Sequence, residues 1–389
     1  MPLINYKSII LKYKEKGIDM ENIVDIEQGK DKKKNIMSSL ILLFINIALV
    51  AYIVISYLTS GEAIRLADLQ GFEINYVFIF ACFALLLSII LIDSYRYYRL
   101  IYSFSKVKSF RLSYLVSAYG KYYDYVTPFG SGGQPFQIYF LHKSQVDSDT
   151  SVSVPICRFL FNHMALLAFF LFSLIYSLIT NTINFDFVFV IALAAFIGNS
   201  LFIGALFFIT FKKNLAYKIC MFFLKLLNKM HLVKNVESRS IKLKEILDKY
   251  QNNVKKINSN VKEFIIQILT SLISIILNYV FVYFIYLAFL GNMENNVSFM
   301  NVITSMVICE MITSVMPLPG GTGAAEFSFI SLFTTWFTFS NGKNIVVWAM
   351  LIWRCFTYYF YILQGFVIVT KDAIKGIKKD KKFIKKEVI

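Results

Sequence analysis

Charged residues are scarce in this sequence: Asp, Glu, Lys and Arg make up 16% of its 389 residues, against about a quarter in an ordinary soluble domain. Hydrophobic residues make up 57%, and the mean hydropathy is +0.60. These values exclude a soluble globular enzyme and a disordered protein. The net charge of +16 predicts no nucleic-acid partner, because the basic residues lie in loops between apolar runs, where they indicate membrane orientation.

Patterns typical of metal sites and common catalytic motifs are also missing. The five cysteines form no Cys-x-x-Cys pair, and the three histidines are scattered. We therefore expect no disulfide, no metal and no cofactor. The sequence has no Walker lysine, no Gly-x-Ser-x-Gly motif and no complete dinucleotide fingerprint, so these motifs predict no catalytic residue. A carboxylate pair for glycosyl transfer, drawn from Asp124, Glu310 and Glu326, stays open as an alternative.

Long apolar runs dominate what is present. A membrane span takes about 20 apolar residues, and six runs are long enough: 38–58, 74–92, 155–180, 184–211, 264–290 and 344–370. Two further apolar stretches, 113–144 and 298–339, are each interrupted by a Gly/Pro cluster. The predicted fold is an all-α integral membrane protein with six to eight transmembrane helices. Each interrupted stretch is either two spans or one re-entrant hairpin, and we favour the hairpin for 113–144 because it is short for two spans.

Loop charges predict the orientation and the domain boundaries. The polar segments with net charges of +2, +4, +9 and +5 are 1–36, 92–112, 212–261 and 371–389. The positive-inside rule places them in the cytoplasm together with both termini. The prediction is a basic N-terminal segment (1–37) without a cleavable signal, a transmembrane domain (38–370) and a basic tail (371–389) in a bacterial plasma membrane. Segment 212–261 is amphipathic, so we expect it on the inner leaflet with its lysines toward anionic lipids.

The two Gly/Pro clusters are the candidate binding elements. Irregular backbone at membrane depth lines a cavity or a close helix contact, and amide groups freed at a helix start can hold an anion. An arginine follows each cluster in the next apolar run, and two glutamates flank the second cluster. The candidate substrate-binding residues are Pro128, Gly130, Gly132, Gly133, Gln134, Arg158, Glu310, Pro317, Pro319, Gly320, Gly321, Gly323, Glu326 and Arg354.

The two cluster-plus-arginine segments also suggest an internal repeat. Stretch 113–144 begins and ends on the predicted cytoplasmic side, whereas 298–339 begins and ends on the outer side. We interpret them as inverted repeats, which in transporters form the substrate site at their interface. The alternative is that the clusters are helix kinks with tight glycine packing, and that Arg354 pairs with a glutamate only to hold the bundle together.

The segments "TPFGSGGQPFQ", "CRFLFNH", "MPLPGGTGAAE" and "WRCFTYYF" resemble the membrane domain of bacterial lysylphosphatidylglycerol synthase, the multiple peptide resistance factor. The resemblance covers roughly residues 38–370. It implies movement of an anionic or aminoacylated phospholipid between leaflets, and a link to resistance against cationic antimicrobial peptides. In the full-length relatives a soluble lysyltransferase domain follows the membrane domain. We expect that activity to be absent here, because this sequence stops at residue 389.

The predicted function is therefore a phospholipid flippase whose partner is a lipid headgroup such as that of lysyl-phosphatidylglycerol. Arg158 and Arg354 are expected to hold the phosphate, while Glu310 or Glu326 balances the arginines or binds an amino group. Two alternatives remain open: a membrane partner of a separate lipid-modifying or glycolipid transferase, and a polyprenyl-phosphate carrier.

Opposite membrane access of the two clusters is the first testable prediction. In a cysteine-free variant, a single cysteine in the cluster at 127–136 is expected to react with a charged thiol reagent from the cytoplasmic side. A cysteine in the cluster at 316–326 is expected to react from the outer side. Labelling of both positions from the same side would contradict the inverted repeat.

Overall fold

The structure, a computed structural model, describes residue 55 and residues 74–180, 187–229, 236–290, 297–339 and 344–372. About 89% of it is helical. Its described parts contain no β-strand, and a single antiparallel bridge joins Thr338 to Asn344. The all-α prediction is confirmed. The first predicted span, 38–58, lies outside the described residues except for Ile55.

Eleven helices are described, and three short 3₁₀ turns lie between or after them. The first six helices are α1 (Tyr76–Ser105), α2 (Phe110–Val126), α3 (Gly133–Lys143), α4 (Ser148–Thr180), α5 (Phe187–Phe211) and α6 (Lys213–Lys229). The remaining five are α7 (Val236–Ser259), α8 (Val261–Phe289), α9 (Phe299–Ser314), α10 (Ala324–Phe333) and α11 (Val346–Arg354). The 3₁₀ turns are Pro128–Gly130, Pro319–Gly321 and Thr334–Phe337. After α11, a π-helical turn, Cys355–Tyr359, leads into further helix that extends to Asp372.

Five of the described helices are long and apolar enough to cross a membrane. They are Tyr76–Ser105, Ser148–Thr180, Phe187–Leu206, Val261–Phe289 and Val346–Asp372. Each coincides with one of the predicted apolar runs, and many of their large apolar side chains are exposed. The chain is therefore a multi-pass membrane protein, because exposed apolar surface of this extent suits lipid.

Polar residues set where three of the central helices begin. Each accepts a hydrogen bond from a backbone N–H in the first turn, a group that has no partner within the helix. Asn75 caps α1 through the N–H of Val77, Asn260 caps α8 through Glu263, and Ser298 caps α9 through Asn301.

Each interrupted stretch forms two short helices joined by a proline-led 3₁₀ turn. Helices α2 and α3 have 17 and 11 residues, and α9 and α10 have 16 and 10. All four are shorter than the roughly 20 residues needed for a span. The turns Pro128–Gly130 and Pro319–Gly321 contact each other. The two Gly/Pro clusters, separate in sequence, therefore meet in space.

The predicted amphipathic segment, 212–261, contains helices α6 and α7. Tyr250 and Val254 of α7 are buried in one cluster with Val154 and Cys157 of α4. Helix α7 thus packs on the end of α4 that begins the span. A larger apolar cluster is formed by buried side chains of α1, α4, α5, α8, α9, α10 and α11, and the candidate site lies beside it.

Gly320 is the residue on which the second turn most depends. Its φ of +62° lies in the left-handed region, which costs an L-residue roughly 1–2 kcal/mol. A Cβ at this position would also lie 2.1 Å from Cε2 of Tyr358. The turn can therefore approach the last helix only with glycine here.

Gly320→Ala is expected to lower the free energy of unfolding by about 2 kcal/mol or more, because strain and a steric clash combine. Gly198→Ala is the matched control, since nothing lies within 4 Å of a Cβ there and alanine favours a helix. Thermal unfolding in detergent measures both variants. Equal midpoints for the two would contradict this account of the turn.

Candidate functional site

A cavity of about 330 Å³ lies among α1, α2, α4, α8, α9, the second turn and α11. This volume is at the lower end of the range for small-molecule sites, about 300–1,000 Å³. Its polar lining residues are Asp93, Lys121, Tyr125, Arg158, Asn162, Ser274, Asn278, Tyr279, Glu310, Thr313, Ser314, Arg354 and Thr357. The concentration of charge is unusual for membrane helices, where ionisable residues face a partner or a wet cavity.

Asp93 is the centre of the first group of charges. Its side chain is 2% exposed. Lys121 Nζ lies 2.9 Å from Oδ2, and Arg158 Nη2 lies 2.9 Å from Oδ1. Arg96 lies 3.4 Å from the same carboxylate, and Ser274 donates a hydrogen bond of 3.1 Å to it. One carboxylate therefore faces three cations, which leaves this group with an excess of positive charge.

Arg354 and Glu326 form the second group. Arg354 Nε donates to Glu326 Oε1 over 2.8 Å, and both side chains are buried. Arg354 Nη1 lies 3.4 Å from the carbonyl oxygen of Gly320. Arg354 Nη2 has no hydrogen-bond partner within the described parts of the chain. A buried N–H group without an acceptor costs free energy. Because Arg354 lines the cavity, a ligand there can supply the acceptor.

Glu310 occupies a different electrostatic environment in the same cavity. The hydroxyl group of Tyr279 donates a hydrogen bond to Glu310 Oε2. None of the ion pairs found among the described residues includes Glu310. Glu326, not Glu310, therefore balances Arg354.

Three glycine amide groups of the two clusters already have side-chain acceptors. Gly132 N–H donates to Thr127 Oγ1 over 2.8 Å, and Gly133 N–H donates to Asp124 Oδ1 over 2.9 Å. In the second cluster Gly323 N–H donates to Glu326 Oε2 over 2.6 Å. Because these amides are satisfied internally, the expected binding of an anion falls on the arginines.

The structure brings only part of the predicted set into the cavity. Arg158, Glu310, Gly320 and Arg354 line it. Glu326 lies behind Arg354. The predicted residues that do not line the cavity are Pro128, Gly130, Gly132, Gly133, Gln134, Pro317, Pro319, Gly321 and Gly323. Several of these build the turns that contact each other, so their place is structural in this arrangement, and their role in substrate binding stays a prediction.

Most residues that line the cavity are not among the binding residues predicted from the sequence, and these include Asp93, Lys121 and Tyr279. Asp93 was assigned to a cytoplasmic loop, but α1 continues past it to Ser105. The signal was present, since an acid directly after a long apolar run is costly unless it is paired. Lys121 carries a similar signal, because it is a charge inside the apolar stretch 113–144. Tyr279 carries none, because its place at the cavity depends on how the helices pack.

Residues 37–365 match the protein family described as Lysylphosphatidylglycerol synthase TM region. The chain belongs to this family. Searches of curated proteins and of solved structures found no significant match. Membership of the lysylphosphatidylglycerol synthase TM family confirms the resemblance drawn from the motifs. It associates the chain with a membrane domain related to lysylphosphatidylglycerol synthesis or lipid handling.

A double-mutant cycle tests the Arg354–Glu326 pair. Arg354→Met is expected to lower the free energy of unfolding by about 3–5 kcal/mol, because it leaves a buried carboxylate without its cation. Adding Glu326→Gln should recover most of this loss, since the glutamine oxygen still accepts the N–H of Gly323. Unfolding in detergent measures Arg354→Met, Glu326→Gln and the double variant. Additive losses in the double variant would contradict the pairing.

Proposed function

We propose that this member of the lysylphosphatidylglycerol synthase TM family translocates a phospholipid with an anionic headgroup between leaflets. The headgroup occupies the cavity, and its phosphate is held by Arg354, Arg158 and Lys121. The acyl chains stay in the lipid, since a cavity of about 330 Å³ suits a headgroup and not the chains.

The unpartnered Nη2 of Arg354 carries this proposal. Arginine presents its donors in a planar fork that matches the oxygen atoms of a phosphate. Arg354 already uses Nε for Glu326, which holds the guanidinium group in place and leaves Nη2 for a ligand. The positive excess around Asp93, on the other wall, supports a ligand of negative charge.

The paired turns support inverted repeats as the moving parts. In both halves a proline begins the turn, and residues with positive φ follow, Phe129 and Gly130 in one, Gly320 and Gly321 in the other. A carboxylate then accepts an N–H at the start of the next short helix. We interpret both helix pairs as re-entrant, entering from opposite faces and meeting at their turns. Rocking of one repeat against the other would expose the cavity to each leaflet in turn.

Glycerophospholipids and polyprenyl phosphates both contain a phosphate group that this site could bind. The translocation assay described below therefore includes lipids of both kinds. This proposal includes a location in the bacterial plasma membrane with both termini in the cytoplasm. It also includes a contact between α6 and anionic lipids of the inner leaflet.

Partnership with a separate transferase is the second candidate function. It is favoured only by the family's relation to lysylphosphatidylglycerol synthesis.

The role of Arg354 is tested by a double variant, Arg354→Met with Glu326→Gln. It removes both charges of the ion pair, so that neither is left buried without its partner. Loss of a charge-assisted hydrogen bond of about 1.5–3 kcal/mol predicts roughly ten- to hundredfold slower translocation. Proteoliposomes with labelled phosphatidylglycerol, lysyl-phosphatidylglycerol or undecaprenyl phosphate provide the measurement.

The matched control is Arg99→Met with Glu263→Gln. Arg99 Nε lies 3.1 Å from Glu263 Oε2, so this is also an Arg–Glu pair between helices, but it does not line the cavity. It should keep the wild-type rate if folded. Equal rates for the two double variants would refute the proposed role of Arg354, and no movement of any lipid by the wild type would favour the transferase partner.

A further inference from the structure

Glu310 stands apart from the other carboxylates around the cavity. Asp93 contacts three cations, and Glu326 is paired with Arg354. Asp124 accepts the N–H of Gly133 and interacts electrostatically with Lys121 and Arg158. Glu263, which is buried away from the cavity, is paired with Arg99. Glu310 lines the cavity, and its only hydrogen-bond partner in the described chain is the hydroxyl group of Tyr279.

In the part of the chain that the structure describes, no ion pair joins Glu310 to a cation of the neighbouring elements. Helix α9 packs against α4, α5, α8, α10 and the second turn. The ionisable groups on these elements and on α11 that line the cavity or interact with its charges are Arg158, His163, Tyr279, Cys309, Glu326 and Arg354. His163 Nδ1 lies 3.1 Å from the carbonyl oxygen of Phe159. Arg158 and Arg354 are already paired with Asp93 and Glu326. Helix α5 contains no ionisable side chain.

A carboxylate in this position needs a compensating positive charge or a proton. Transfer of an isolated ionised group out of water is costly, and a protein usually avoids it by pairing or neutralising the group. A tyrosine hydroxyl supplies one hydrogen bond but no charge. An anion bound to Arg354 and Arg158 would add negative charge to the same cavity, which favours the protonated form of a neighbouring carboxylate.

We infer that Glu310 is a proton-binding site, and that a proton on it accompanies the anionic headgroup through the cavity. This inference rests on the proposed function. The proton comes from water on one side and forms an O–H bond with a carboxylate oxygen of Glu310. That bond breaks when the cavity faces the other side, and the proton returns to water, with no oxidation or reduction. Headgroup and proton favour each other's binding, as reciprocal linkage requires.

Proton uptake on lipid binding tests the site without any transport. Phosphatidylglycerol is titrated into the purified full-length chain in detergent, by calorimetry in two buffers of different ionisation enthalpy and at several pH values. The wild type is expected to take up a fraction of one proton per lipid bound. Glu310→Gln should abolish this uptake, and Glu310→Asp, which keeps a titratable group, should retain it. Asp147→Asn, an exposed carboxylate-to-amide change, is the matched control and should behave as the wild type.

Leaflet distribution under a pH gradient tests the coupling. One pH unit corresponds to a tenfold ratio for one proton. With one proton per lipid, labelled phosphatidylglycerol should accumulate in the leaflet facing the more alkaline compartment, by up to about tenfold per pH unit. In the Glu310→Gln variant, the distribution of the lipid between leaflets should not depend on the pH gradient, whatever the rate at which the variant translocates it.

The outcomes separate this inference from the proposed function. Translocation by the wild type that does not depend on the pH gradient would overturn proton coupling, but it would agree with the proposed flippase function. If no lipid moves, the proposed function fails, and calorimetry alone decides on the proton site. Binding without proton uptake in the wild type would overturn the inference. It would also be overturned if Glu310→Gln weakened only the binding of lysyl-phosphatidylglycerol, because Glu310 would then hold an amino group.

Discussion

The balance of buried charge around Asp93 is the constraint on which this arrangement of helices depends. Its carboxylate on α1 contacts Lys121 of α2 and Arg158 of α4, and accepts a hydrogen bond from Ser274 of α8. In a membrane, where a lone charge is costly, each of these groups needs the others. Four helices are thereby held around one point, and the cavity lies beside it.

The two Gly/Pro turns create a second requirement, because each interrupts a helix and frees backbone amide groups. Lipid offers no hydrogen bonds, so each freed amide must find an acceptor within the protein. Asp124 and Glu326 supply acceptors at the starts of the two short helices. Glu326 also pairs with Arg354. In the second turn, one carboxylate therefore both accepts a backbone N–H and positions the arginine that lines the cavity. The side chain of this arginine is left to donate hydrogen bonds into the cavity.

Family membership and cavity chemistry complement each other. The lysylphosphatidylglycerol synthase TM family relates the chain to lipid handling, while the cavity supplies the charge pattern that a lipid headgroup would meet. Paired cations on two walls fit a phosphate group. Glu310, which has no ion-pair partner among the described residues, lines the same cavity. The cavity therefore has positively charged parts and one part with a carboxyl group.

Much of the fold was determined by the sequence alone, because apolar length and loop charge act locally. Runs such as 264–290 predict spans without any knowledge of packing, and the Gly/Pro clusters mark where helices must end. The arginines were also predictable, since a charge inside an apolar run needs a partner. Which partner it finds was decided only by tertiary structure: Glu326 and Glu310 flank the same cluster, yet only Glu326 reaches Arg354. Asp93 and Lys121 likewise meet because α1 packs against α2, a contact that depends on three-dimensional packing and that no local pattern encodes.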